Sequence, residues 1–308
     1  MTGKNILVVV DPTADEHPVI DRAAWLAGQL GIGLELCICD YDPDIEAGRT
    51  STVWISQPAR ENLMSILRQK LETLAEPLRG RGLDVSVDVV WDHPLPESIV
   101  RKVVASKPWM VAKDTHHHNR LKRTIFSNTD WHLIRECPAP LFLVKPHAIA
   151  DNPKVLAAVD PMHEHDKPAE LDHQILELAK GLANWTGGEL QVVHTFPVHP
   201  ALALEGATLG DDVADALRQE HQAAMTALLD RHQVPAANAH LLKGAPHDRL
   251  PQFAEDENID ILVMGAVSRS GLERIFIGST AARVLDRLPC DLVIIKAQGF
   301  QPSESESD

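Results

Sequence analysis

The chain has 308 residues, 44% of them hydrophobic and 24% charged, and 29 Lys and Arg stand against 44 Asp and Glu for a formal net charge of −15. That length is long for one compact domain and comfortable for two of about 150 residues, and so acidic a surface repels nucleic-acid phosphates and anionic membranes. No apolar run reaches the roughly 18 residues of a membrane span, and "MTGKNILVVVDP" has no signal-type preamble, so a cytoplasmic address is expected.

In the first half, short apolar runs at 5–10, 34–39, 84–90, 109–112 and 140–145 read as strands. The second run carries Cys37 and Cys39; with Cys137 and Cys290 they are too few and scattered for a disulfide framework, and they read as small buried hydrophobes. Between the second and third runs, Leu63, Ile66, Leu67, Leu71, Leu74 and Leu78 follow helical spacing. After the fourth run comes "KDTHHHNRLKRTIFSNTDWHL" (113–133). Its His116 and His118, with Asp114 and His132 nearby, could offer metal ligands; a polar surface loop is the favoured reading.

The segment 146–152, "PHAIADN", lacks periodicity and reads as a linker. Beyond it the runs 154–159, 189–195, 239–243, 260–264 and 291–296 read as strands, and "DDVADALRQEHQAAMTALLDRH" reads as a helix. "MHEHDK" (162–167) is a weaker His/Glu group in a solvated loop. "FPVHPALALEGATLG" (196–210) is either a crossover loop or the lining of a pocket, and 299–308 reads as a disordered acidic tail.

The two halves repeat. "NILVVVDP" and "KVLAAVDP" place Asp11 and Asp160 149 positions apart, and "RTIFSNTDWHLIRECPAPLFLVK" matches "ERIFIGSTAARVLDRLPCDLVIIK" at 150 to 151. Near-continuous apolar strands alternating with helices predict an α/β fold: two tandem, doubly wound, five-stranded parallel sheets of Rossmann-like type, over 1–146 and 153–298. Ligands of such sheets sit beyond the carboxyl ends of the strands where the winding reverses. Asp11, Asp160 and the loop after each fourth strand are therefore the positions to watch.

In the second half that loop is "VMGAVSRSGLERIFIGSTAARVL" (263–285). Gly265 lets the backbone leave the strand, and Gly278-Ser279-Thr280 precedes an apolar helical stripe of Ala281, Val284, Leu285 and Leu288. Free N–H groups and the dipole at a helix start suit phosphate, with Arg269 and Arg274 as added charge. A plain helix cap with a tight turn is the alternative.

On these residues each half resembles the universal stress protein domain, and the tandem arrangement over nearly the whole chain resembles the two-domain members of that family. The family's nucleotide-binding loop reads G-x2-G-x9-G-[ST], with an Asp after the first strand facing adenine. The resemblance implies ATP, with Mg, bound by Asp160, Met264, Gly265, Ser268, Gly278, Ser279 and Thr280. Ser268 stands where the pattern has its second Gly. The first half has Thr115, His118 and Asn128 in place of the glycines, and Asp130 sets a carboxylate in the next helix's first turn, so ATP is not expected there. The resemblance further implies that the two halves pack as an intramolecular pseudo-dimer and that the chain forms a homodimer, with "PLFLVK" and "DLVIIK" as edge strands needing cover.

No G-x-x-x-x-G-K-[ST], G-x-S-x-G or S-G-G-x-D-S loop is present, so P-loop, α/β-hydrolase and ATP-splitting ligase chemistry lack their residues. The sequence leaves three readings: a non-catalytic stress-response protein binding nucleotide in its second half, a binding module for a less polar ligand, and a slow divalent-dependent ATPase.

Overall fold

The structure is a computed structural model and describes residues 3–46, 56–118, 123–162, 169–196, 207–266, 284, 285 and 287–302. The chain divides into two compact units, one centred on Met1–His117 with Phe126–Pro146, the other on His147–Phe300.

The first unit runs β1 (Asn5–Val9), α1 (Pro18–Leu30), β2 (Gly33–Asp40), α2 (Pro43–Glu46), α3 (Ser56–Gly80), β3 (Val85–Trp91), α4 (Leu95–Ser106) and β4 (Met110–Asp114). After β4 the chain forms two short strands, β5 (His116–His118) and β6 (Arg123–Ile125), where the sequence reads as loop, and β6 belongs to the second unit; the first unit then continues with α5 (Asn128–Glu136) and β7 (Leu141–Val144). The five long strands are parallel in the order β3-β2-β1-β4-β7. Ile6, Leu7 and Val8 of β1 have no solvent exposure, as a central strand covered on both faces requires. Val19, Ile20, Ala23, Ala24 and Ala27 give α1 its buried stripe, and Gly31, at φ 64°, closes the helix in the left-handed cap that glycine tolerates.

The second unit repeats the plan with β8 (Lys154–Ala158), α6 (Ala169–Thr186), β9 (Glu189–Phe196), α7 (Ala207–His232), β10 (Ala239–Lys243), α8 (Pro246–Asp256), β11 (Ile261–Gly265) and β12 (Asp291–Ile295). Its strands are parallel in the order β10-β9-β8-β11-β12. Helix α7 begins at Ala207, inside the stretch the sequence reads as crossover loop or pocket lining; 197–206 lie outside the described residues. Val284 and Leu285 are helical and buried, and Leu288 is buried beyond them, as their stripe predicts.

The linker is anchored to this unit. His147 Nε2 lies 2.9 Å from Oδ1 of the buried Asp291, and the Ala150 N–H donates to Asp260. Within the stretch read as a disordered tail, Phe300 closes a turn by donating its N–H to the Ala297 carbonyl, and Lys296 lies over its ring. None of the four cysteines forms a disulfide, and all are buried.

Candidate functional site

In the second unit the chain winds from β8 through β9 to β10, then returns to the other side of β8 as β11. The winding therefore reverses between β8 and β11, which opens a crevice at their carboxyl ends. Ala158 pairs with Met264, so Asp160, two residues past Ala158, and Gly265, one past Met264, flank that crevice. The structure thus brings Asp160, Met264 and Gly265 together. Ser268, Gly278, Ser279 and Thr280, with Arg269 and Arg274, lie outside the described residues.

The floor of the crevice is α6. A Cβ on Gly265 would sit 2.6 Å from Leu171 Cδ2 and 3.3 Å from Ile175 Cδ1, so a side chain there requires Leu171 to shift. Gly265 is therefore small because α6 packs directly on the end of β11. That contact carries Asp172, fully buried, to Asp160, whose N–H donates to Asp172 Oδ1 at 3.0 Å. His194, on β9, reaches the Val159 carbonyl through Nδ1 at 3.1 Å. Its Nε2 meets Nδ1 of His221, on α7, at 2.7 Å. Sequence reasoning missed Asp172, His194 and His221; the available signal was a polar residue at a core position, such as the histidine inside the apolar run "LQVVHTF".

The first unit reverses its winding between β1 and β4, and there the place is filled. Asp114 pairs with Val144 and Gly265 with Ile295, and each partner directly precedes the lysine, Lys145 or Lys296, that ends the repeated segment. Asp114, rather than the Thr115 suggested by the spacing of 150, therefore stands level with Gly265. The one-residue difference lies in the strand itself, where spacing along the chain cannot locate it. Asp114 accepts the N–H of Val19 in the first turn of α1 at 2.8 Å.

Lys113, level with Met264, extends its ammonium to Asp130 Oδ1 at 2.9 Å. Asp130 closes a capping box with Ser127 at the start of α5, as the third residue of the helix. A carboxylate and its lysine thus occupy the helix start. After β1, Asp11 accepts the N–H and hydroxyl of Thr13, and Lys70 donates to the carbonyls of Pro12 and Ala14. His17, beside this loop, has its pKa lowered by burial and then by Lys70, against the opposing pull of Asp11 and Asp15.

The side chains of His116 and His118 lie outside the described residues; their backbone is the strand β5. Among the described residues no group of three or more His, Cys, Asp and Glu is arranged to hold a metal ion, and no helix is long and apolar enough to cross a membrane.

A profile of the universal stress protein family matches residues 3–145 and again 152–296. Universal stress protein E of Salmonella typhi is 32% identical over 301 residues, covering 97% of this chain and 96% of that protein. The universal stress protein E of Escherichia coli K12 is 31% identical with 97% and 95% covered. Among solved structures, a putative universal stress protein of Pseudomonas aeruginosa superposes with a TM-score of 0.74 at 25% identity, covering 96% of this chain and 94% of that one. A universal stress protein of Archaeoglobus fulgidus shares the fold, with a TM-score of 0.63 at 18% identity and 96% and 99% covered.

Proposed function

The chain belongs to the universal stress protein family, and from that premise we propose that it is a non-catalytic cytoplasmic protein that binds ATP, with a divalent ion, in its second half. The two domains of this reading are 1–146, a scaffold, and 153–298, the binding domain. One contrast carries it. The β8/β11 crevice is flanked by Asp160 and a glycine, whereas the β1/β4 crevice holds Asp114 and the Lys113–Asp130 pair. Asp160 would meet the base, and Gly278-Ser279-Thr280 with Ser268 would hold phosphate through backbone N–H groups and hydroxyls. The bound divalent ion would neutralise phosphate charge.

The test is to denature the purified protein and identify what it releases by mass spectrometry, then to titrate ATP into the stripped protein and its Gly278→Val variant. Adenine nucleotide near one per chain, with binding lost in the variant, is the expected result. Unchanged affinity in the variant overturns the assignment of the loop. Release of a lipid-like molecule without adenine favours the less polar ligand, with Ser268 as the mark of altered specificity.

A further inference from the structure

The peptide that joins Val159 to Asp160 is held at both of its polar atoms by buried side chains. Its carbonyl faces His194 Nδ1 at 3.1 Å, and its N–H donates to Asp172 Oδ1 at 3.0 Å. A ring nitrogen facing a carbonyl must carry the hydrogen, so His194 donates from Nδ1. Its Nε2 is then the acceptor, and His221 donates to it from Nδ1 at 2.7 Å. Relative exposures are 3% for His194, 4% for His221 and 0% for Asp172. Phe196 lies against the His221 ring and helps seal the group.

Three buried polar side chains are costly to desolvate and are tolerated here because they are bonded. The fold does not demand them. In the first unit the same strand end forms with the same ladder bond, Val10 N–H to the Cys37 carbonyl, matching Val159 N–H to the Val193 carbonyl. The residue after Cys37 is the buried Ile38, in the place His194 takes after Val193. The two units differ in what the aspartate does next: Asp11 turns back on Thr13, while Asp160 follows a clamped peptide.

We propose that His194, with His221 behind it, and Asp172 are positioning residues that fix the Val159–Asp160 peptide and so aim the Asp160 carboxylate at the base. This deepens the nucleotide reading and rests on it. An ionised carboxylate only accepts hydrogen bonds. Held in one orientation, it selects a base with a donor at its edge, the exocyclic amine of adenine, over one with a keto oxygen there. Preorganisation of that acceptor is the source of the selectivity, since a mobile carboxylate loses it to ordering cost.

The experiment compares ATP with ITP, whose base carries the keto oxygen, in the wild type and in His194→Leu, His194→Asn and Asp172→Leu. His194→Asn keeps an N–H donor near the position of Nδ1. Wild type should prefer ATP by roughly tenfold or more, and His194→Leu should lose about tenfold in ATP affinity while ITP binding stays within about twofold. His194→Asn should recover most of the loss, and Asp172→Leu, which removes the acceptor of the Asp160 N–H, should behave like His194→Leu. Nitrogen NMR of the wild type should show His194 protonated at Nδ1 and a protected Asp160 amide.

Equal loss of ATP and ITP in His194→Leu would mean a structural role only and overturns the proposal. So does a wild type that binds both equally, or a His194 ring without hydrogen on Nδ1. Should His194→Leu not fold, the His194→Asn comparison and the wild-type NMR still decide. A wild type that binds neither nucleotide overturns the function proposed above, and this role with it. Intact ATP preference in His194→Leu overturns the positioning role alone.

Discussion

The ammonium of Lys113 lies 2.9 Å from Oδ1 of Asp130, and Asp130 has no solvent exposure. Its other oxygen, Oδ2, accepts both the N–H and the hydroxyl of Ser127, so one side chain caps α5 and neutralises a buried lysine. Removing one partner of such a pair leaves the other charged in a dry place, which costs more than the pair is worth. Asp130→Asn and Lys113→Met should each cost about 3 kcal/mol in urea unfolding. The double variant should cost at least ~1 kcal/mol less than the two added together. Strict additivity would mean that the two groups act independently.

In the second unit Gly265, at the end of β11, packs against Leu171 of α6. With a Cβ placed 2.6 Å from Leu171 Cδ2, Gly265→Ala must displace the Leu171 side chain where α6 meets the end of β11. The expected cost is about 1–3 kcal/mol, typical of overpacking a close-fitted core. Leu171→Ala opens a cavity by itself, yet in combination it should relieve the clash, so the double variant should be more stable than the two single losses predict. Chemical denaturation of the four proteins checks this. Additive losses would place the strain of Gly265→Ala somewhere other than Leu171.

The four thiols give a probe of opening in both units. Cys37 and Cys39 share one face of β2 with their sulfurs 4.0 Å apart, and Cys137 and Cys290 have no exposure. The hydrogen bond to Cys39 and burial both push the Cys37 thiol's pKa far up, which withholds the reactive thiolate. A thiol reagent should therefore label the native protein only as fast as it opens, and should titrate four thiols at once in denaturant. Rapid labelling of Cys37 in the folded protein would contradict its burial.

The strands were legible because a parallel strand covered on both faces must be almost wholly apolar, and runs such as "NILVV" and "DLVII" have little other use. The reversal points between β1 and β4 and between β8 and β11 followed from the order of the runs, and so did the neighbourhood of Asp160 and Gly265. Register was not legible: Asp114 rather than Thr115 stands level with Gly265, a difference of one residue that only ladder pairing reveals. Nor were the contacts behind the site. His194 sits in an apolar strand and Asp172 next to Leu171 on the buried side of α6, and a single polar residue in such company says nothing about its partner. The short strand β5 escaped because three histidines in succession carry no apolar alternation.

Acid should weaken the fold before the carboxylates titrate. His17, His132, His173 and His240 all have pKa values lowered from 6.5, and burial is the largest cause in each. His173 shows why a proton is unwelcome. Arg231 donates to its Nε2 at 3.1 Å, so the neutral ring carries its hydrogen on Nδ1 and donates to His232 Nε2 at 2.5 Å. His232 in turn donates from Nδ1 to Glu177 at 2.8 Å. Each ring nitrogen already has its role, and a second hydrogen on His173 must displace Arg231. These rings stay neutral in the folded chain at pH values where the unfolded chain protonates them, so the unfolded state binds more protons below about 6.5. Their contribution is complete above the unfolded value and is lost as pH falls through it towards the lower folded values. The unfolding free energy from urea titrations should fall steadily between about pH 7.5 and 5.5, by up to ~1.4 kcal/mol per pH unit for each extra proton the unfolded chain takes up, and the midpoint with it. His240, bonded through Nε2 to Gln191 and set against Phe253, is the ring to remove: His240→Gln should flatten that slope. A midpoint that rises on acidification, or a slope untouched in His240→Gln, would show that these rings are not where the protons go.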